Sequence, residues 1–114
     1  MRVRKTKSGK FSLEVTSLDR STVWDALVSF MEGESVKMMD VKLDNEKNIM
    51  RHIYYSTLDQ LIARIDFALF LINVNKKWIV TRSEVIALMW LLRYEDSNMQ
   101  ILDMKAALHK TLHA

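Results

Sequence analysis

The sequence predicts an α+β fold in which a short β-hairpin precedes a set of packed helices. Three observations support this prediction. Apolar and polar residues alternate from Phe11 to Thr16, which is the period of a half-buried strand. The segment 58–74 is apolar over most of a helical circumference, as expected of a central helix. The C-terminal third contains two motifs that begin helices, at Thr81 and Ser97.

The N-terminal hairpin is predicted from residues 1–16, with strands at about 2–6 and 11–16. Phe11, Leu13 and Val15 are expected to face the core, and the polar residues between them to face solvent. The connection between the strands is rich in turn-forming residues, and Gly9 can adopt a positive φ without steric cost.

A first helix is expected from about Arg20 to Glu32, with apolar residues on one face. Asp19 or Ser21 can cap its N-terminus, because their side chains accept hydrogen bonds from free backbone N–H groups. Gly33 suits the C-terminal cap of this helix.

Residues 36–55 allow two interpretations. Apolar residues alternate from Met39 to Leu43, and residues 49–55 are rich in β-branched and aromatic side chains, which favours a second β-hairpin. Thr57-x-x-Gln60 matches a capping box, which predicts a helix that begins at Thr57. Because a helix that begins there argues against one continuous helix from residue 45, this motif also favours the hairpin. In the alternative, residues 45–74 form one long helix and the protein is mostly α with one N-terminal hairpin.

The central helix is predicted over residues 57–74 and is apolar nearly all round, so it must be covered on more than one side. A short extended segment follows at Trp78–Val80. Thr81-x-x-Glu84 and Ser97-x-x-Gln100 are capping boxes that begin the last two helices. The final helix carries a narrow apolar stripe formed by Ile101, Met104, Leu108 and Leu112.

Length and composition indicate a single globular domain over residues 1–114, with no cysteine and therefore no disulfide or thiolate metal site. No apolar stretch follows the basic N-terminus, so a signal peptide is not expected. The longest unbroken apolar run, Phe67–Ile72, has six residues, whereas a membrane span needs roughly 20. We therefore expect a soluble, cytoplasmic protein that does not insert into membranes.

The positive charge of the chain is concentrated at its N-terminus. Five Lys and Arg lie within the first ten residues without an acid, and the remaining 104 residues hold 12 Lys and Arg against 14 Asp and Glu. Such asymmetry is typical of proteins with an anionic partner, and a basic β-ribbon can follow phosphates or enter the major groove. The alternative is an exposed edge hairpin whose charges prevent aggregation. The predicted nucleic-acid contacts in the hairpin are Arg2, Arg4, Lys5, Lys7 and Lys10.

A second basic site is Lys76-Lys77-Trp78, where two cations beside an indole can hold a phosphate and stack a base. The alternative is that the lysines complete the C-terminus of the central helix while Trp78 packs in the core.

Three weaker patterns also have ordinary structural explanations. Residues 81–112 have the outline of a helix-turn-helix, in which Asn98 and Gln100 would read bases, but acidic neighbours oppose it. His109 and His113 have metal-ligand spacing on a helix but lie in its last turn. Arg64 and Asp66 interrupt the central helix and cannot pair with each other on one helix face.

Two functional hypotheses follow, and neither is an enzyme, because no catalytic motif, cofactor motif or metal motif is present. The first is a small nucleic-acid-associated or regulatory protein that uses the basic hairpin. The second is a protein–protein interaction module, a homodimer or a small inhibitor of a partner protein, that uses a helical apolar surface. The apolar central helix and the eight methionines motivate the second hypothesis.

Overall fold

The computed structural model describes residues 2–16, 20–64 and 77–114. In chain order these contain strands β1 (Arg2–Lys5) and β2 (Phe11–Glu14), helices α1 (Arg20–Met38) and α2 (Glu46–Arg64), strand β3 (Trp78–Val80), and helices α3 (Arg82–Leu91) and α4 (Met99–Leu112). The fold is thus α+β and mostly helical, as the sequence predicts. No helix in the described ranges combines the length and apolarity needed to cross a membrane.

The three strands form one antiparallel sheet in the order β1-β2-β3. The predicted N-terminal hairpin is confirmed, with Val3 opposite Leu13, and the predicted extended segment at Trp78–Val80 is its third strand. Leu13 lies opposite Trp78, and all the apolar side chains on this inner face are buried or partly buried.

A single core cluster joins the inner face of the sheet to the helices. Helix α2 packs mainly against α3, and α4 lies beside β1, where the Thr111 hydroxyl donates a hydrogen bond to the Val3 carbonyl (3.3 Å). The fully or nearly fully buried apolar residues are Phe11, Leu13, Val15, Val23, Leu27, Met31, Leu58, Leu61, Trp78, Val80, Val85, Ala87, Leu88, Leu91, Leu92, Ile101, Met104 and Leu108.

Helix α1 is longer than predicted, and the prediction that Gly33 caps it is wrong. Gly33 lies inside the helix, which continues to Met38. The next residue, Glu34, is buried and accepts two hydrogen bonds from Arg51 of α2 (3.1 and 2.9 Å). This contact between the helices helps to hold the turn that glycine weakens by its conformational entropy.

The predicted second hairpin in residues 36–55 is also wrong, because α1 and α2 occupy most of this segment. Asn45 caps α2: its side-chain oxygen accepts the backbone N–H of Asn48 (2.9 Å). Thr57 does not begin a helix but lies inside α2, where its hydroxyl donates to the Ile53 carbonyl (2.9 Å). The alternative of a long helix beginning near residue 45 agrees with the structure as far as Arg64, and residues 65–74 lie outside the described ranges.

The two C-terminal helices begin close to the predicted positions. At α3 both bonds of the Thr81–Glu84 capping box are present. At α4 the cap is Asn98 rather than the predicted Ser97, and the Asn98 side chain accepts the Ile101 N–H (3.2 Å). Ile101, Met104 and Leu108 are buried as predicted, and Leu112 is partly buried.

Candidate nucleic-acid interface

The turn of the N-terminal hairpin is held by its own polar groups. Gly9 has φ 81°, the left-handed conformation that glycine adopts most readily. The Thr6 N–H donates to the Lys10 carbonyl (2.8 Å), and the Thr6 hydroxyl accepts the Lys10 N–H (3.2 Å). These bonds close the loop while the Lys7 and Lys10 side chains remain exposed. The turn therefore presents two cations from a backbone with defined geometry.

The outer face of the sheet carries the arginines of the hairpin. Directly opposed residues of an antiparallel pair point to the same face, and the register places Arg2 opposite Glu14 and Arg4 opposite Ser12. Val3 alternates with them and faces the core. Arg2 and Arg4 are exposed, so the strand β1 displays its arginines outward as the alternation predicts.

Glu14 is the one acidic residue on the described hairpin, and it is ion-paired. Its Oε1 lies 3.2 Å from the Lys77 Nζ, just before strand β3. The hydrogen bond from Lys77 lowers the pKa of Glu14 below its usual range against a smaller opposing effect of desolvation, and the charges of Lys77, Arg4 and Arg2 lower it further. Glu14 is therefore ionised at neutral pH and offsets about one of the neighbouring positive charges.

The second predicted site is only partly brought to this surface. Lys77 is exposed beside the hairpin, and Lys76 lies outside the described residues. Trp78 is 4% exposed and packs edge-on against Trp24, with ring centroids 6.1 Å apart. Because its ring is buried in the core, Trp78 is not a stacking platform for a base in this structure.

The basic surface can now be defined by its residues. It comprises the exposed side chains on the hairpin and at the start of β3, namely Arg2, Arg4, Lys5, Lys7, Lys10 and Lys77. Lys5 lies opposite Phe11 and therefore on the other side of β1 from the two arginines, although its side chain is exposed. Helix α4 ends beside β1, where Thr111 contacts the Val3 carbonyl, and Lys110 is exposed in the last turn of the same helix. The approach of α4 to the hairpin depends on tertiary packing, which no local sequence pattern reveals.

The helix-turn-helix alternative loses one of its two proposed base-reading residues. Asn98 uses its side-chain oxygen to cap α4, and the preceding turn is held by Glu95. The Glu95 Oε1 accepts the backbone N–H groups of Ser97 (2.9 Å) and Asn98 (2.8 Å), and these bonds lower the pKa of the Glu95 carboxyl. The turn therefore presents an ionised carboxylate where a phosphate would have to approach.

Two further candidates from the sequence are the pair His109 and His113 and the charged residues Arg64 and Asp66. The exposed rings of His109 and His113 lie 4.5 Å apart at the C-terminal end of α4, and no group of three metal-ligating side chains exists among the described residues. Arg64 pairs with Glu84 of α3 at 3.0 Å, and Asp66 lies outside the described ranges.

A buried ion cluster is the polar feature that sequence reasoning missed. Glu34 is 6% exposed. Besides its bonds to Arg51, Glu34 lies 3.6 Å from the Lys37 ammonium and 3.8 Å from the Arg93 guanidinium. Arg93 also stacks on the Trp90 ring, 4.4 Å from its centroid. The cluster ties α1 to α2 and to the end of α3. Lys37 has the i,i+3 spacing of a helix ion pair with Glu34, but Arg51 and Arg93 are too far from Glu34 in sequence for any spacing rule to connect them.

Comparison with known proteins gave no match: neither the scan against protein-family models nor the searches of curated proteins and of solved structures found one.

Proposed function

We propose that the protein binds nucleic acid through the basic surface of its N-terminal hairpin. The observation that carries this proposal is the charge of that surface: the hairpin and the start of β3 expose six cations and one acid, and the acid is already paired with Lys77. Lys and Arg side chains that neutralise phosphates release condensed counterions, and this release supplies most of the affinity of a sequence-independent contact.

The shape of the hairpin suits the same ligand. A two-stranded β-ribbon fits the major groove of a duplex, and the hydrogen-bonded turn fixes the direction of the ribbon. Arginines on alternate residues of β1 project from one face, so that several phosphates can be contacted at once.

The test compares two pairs of lysines that carry equal charge on different surfaces. Lys5→Gln/Lys7→Gln removes two cations from the basic surface, whereas Lys42→Gln/Lys47→Gln removes two exposed cations from the α1–α2 end of the molecule. Binding of fluorescent duplex and single-stranded oligonucleotides is followed by anisotropy over a range of salt concentrations. We expect salt-dependent binding by the wild type and by the control pair.

The hairpin pair should weaken binding and flatten the salt dependence. Loss of two phosphate contacts reduces the slope of log K against log salt by about 2 for a duplex. Substitution is preferable to deleting residues 1–10, because the deletion would also remove strand β1 and its pairing with β2. No binding at low salt, or equal losses in the two variant pairs, would refute the proposal.

A further inference from the structure

Helices α1 and α2 and the loop between them carry an exposed apolar surface in a part of the molecule outside the sheet. We call residues 36–53, from the last turn of α1 through the loop to the middle of α2, the helical tip. It contains six large apolar residues that are all exposed, namely Val36, Met39, Leu43, Ile49, Met50 and Ile53. They account for six of the nine exposed large apolar side chains that the described residues contain.

The helical tip lies beyond the hydrophobic core. The last core residue of α1 is Met31, and the first buried residue of α2 is Leu58. Polar contacts determine the conformation of the segment between them. Arg51 binds Glu34, the His52 ring contacts the Val41 carbonyl (3.2 Å), and Asn45 caps α2. The tip thus combines an ordered backbone with apolar side chains directed to solvent.

Part of this surface is a shallow groove. Leu43 of the loop and Ile49 and Ile53 of α2 line it, with the small polar residues Ser56 and Thr57 at its other end, and its volume is about 500 Å³. Ile49 and Ile53 are four residues apart on the side of α2 away from Leu58, so this face of α2 has no partner among the described residues.

The exposed area is large enough for a weak, specific interface. The exposed fractions of the six side chains equal about three and a half fully exposed residues, or about 600 Å² per copy. Specific protein interfaces bury about 1,200–2,000 Å² from both partners together. Two copies that each buried all six side chains would therefore reach the lower end of this range.

The charges around the helical tip indicate what covers it. The exposed acids Asp40, Asp44 and Glu46 are equal in number to the exposed lysines Lys37, Lys42 and Lys47, so the tip has no excess of positive charge to attract nucleic acid or an anionic membrane. The two signs are interspersed along the segment, and in a two-fold arrangement each contact is repeated with the copies exchanged. Acids of one copy can then face lysines of the other around a shared apolar centre.

We propose that the helical tip is a two-fold interface through which the protein associates with a second copy of itself. This surface is not the apolar segment 58–74, on which the homodimer hypothesis from the sequence is based. The proposal does not depend on nucleic-acid binding, and the two can fail separately.

Sedimentation velocity over a concentration series in the absence of nucleic acid tests this proposal. Leu43→Glu and Ile53→Glu place a charge at the centre of the interface, and each should weaken dimerisation by more than about tenfold. Met99→Glu is the matched control, since Met99 is 67% exposed and Leu43 is 66% exposed but Met99 lies on the first turn of α4. Circular dichroism establishes that each variant is folded.

A dimer that both tip variants dissociate and the control leaves intact supports the proposal. Lys5→Gln/Lys7→Gln should leave the dimer unchanged, which separates this surface from the hairpin. A wild-type chain that stays monomeric at every concentration overturns the proposal and leaves a different polypeptide as the occupant of the tip. A dimer that resists both tip variants, or that Met99→Glu weakens equally, also overturns it.

Discussion

Glu84 joins the start of α3 to the end of α2. The stability that is lost when Glu84 is replaced should depend on pH, for reasons that its contacts show. Its Oε1 accepts the Thr81 N–H at 2.8 Å, which completes the capping box. Both carboxylate oxygens also contact the Arg64 guanidinium, at 3.1 and 3.0 Å. Burial by itself would raise the pKa of Glu84, but the hydrogen bonds from Arg64 and Thr81 outweigh it, and the pKa lies below its ordinary value.

Two variants separate the charge of Glu84 from its hydrogen bond. Glu84→Gln keeps an acceptor for the Thr81 N–H but loses the ion pair and the favourable charge at the helix N-terminus. The Arg64 side chain is 54% exposed, so solvent screens the ion pair and the combined loss is about 1 kcal/mol. Glu84→Ala also leaves the Thr81 N–H without its acceptor, which brings the expected total to about 2 kcal/mol.

Urea unfolding at pH 7 and near pH 3 distinguishes these contributions. Because the folded-state pKa of Glu84 is depressed, its charge stabilises the fold fully above the unfolded pKa of about 4.3, and this stabilisation is lost as pH falls through the folded pKa. The difference between wild type and Glu84→Gln should therefore shrink at low pH. The difference between Glu84→Gln and Glu84→Ala should persist, since an amide does not titrate. A gap between wild type and Glu84→Gln that does not change with pH, or equal stabilities of the two variants, would refute this reasoning.

Two further predictions test the backbone and the core by thermal or urea unfolding. Gly33→Ala should stabilise the protein by about 1 kcal/mol, because Gly33 lies in a helix interior where an added Cβ meets nothing within 4 Å. Gly9→Ala should destabilise the protein by about 1–2 kcal/mol, because Gly9 has a positive φ. A destabilised Gly33→Ala would instead indicate that α1 ends at this residue. Leu61→Ala should lower the free energy of unfolding by about 2–5 kcal/mol, because Leu61 is 1% exposed and its truncation leaves a cavity in the core. Ile53→Ala on the same helix should lower it by less than about 1 kcal/mol in dilute protein, because Ile53 is 50% exposed. Equal losses in the two would mean that α2 buries a different face.

The sequence patterns predicted elements correctly where the local chemistry and the tertiary structure favour the same conformation. Strand β2 forms where the apolar alternation predicts it, and Gly9 provides the turn that its register requires. The expectation that Ser12 faces solvent is wrong, because Ser12 is only 7% exposed within the sheet. Thr81 and Glu84 form the predicted capping box because both partners are within one turn of the chain. Residue spacing is sufficient to predict contacts of this kind.

Capping motifs were less informative where several side chains compete for the same role. Ser97 and Asn98 can both cap a helix, and the structure uses Asn98 because Glu95 binds the N–H groups of both residues and the Ser97 hydroxyl. Thr57 satisfies the motif for a helix start, yet its hydroxyl bonds to the preceding turn of a helix that is already formed. The positions of the hairpin cations were predictable from β-strand alternation, but the burial of Trp78 was decided by packing against Trp24.

The prediction of a second β-hairpin in residues 36–55 is wrong for a specific physical reason, which is connected to the proposed interface. The alternation of Met39, Val41 and Leu43 predicts a strand only if the apolar side chains of the segment are buried on one face. In the folded chain Met39 and Leu43 are exposed, so their period does not describe a core-facing surface. Asn45 and the ion pair between Arg51 and Glu34 determine the local structure instead. A segment whose apolar pattern has no explanation within its own fold is where a binding surface is expected. If the helical tip is a self-association surface, as we propose, the misleading pattern and the exposed apolar side chains have the same cause, which is contact with a second copy.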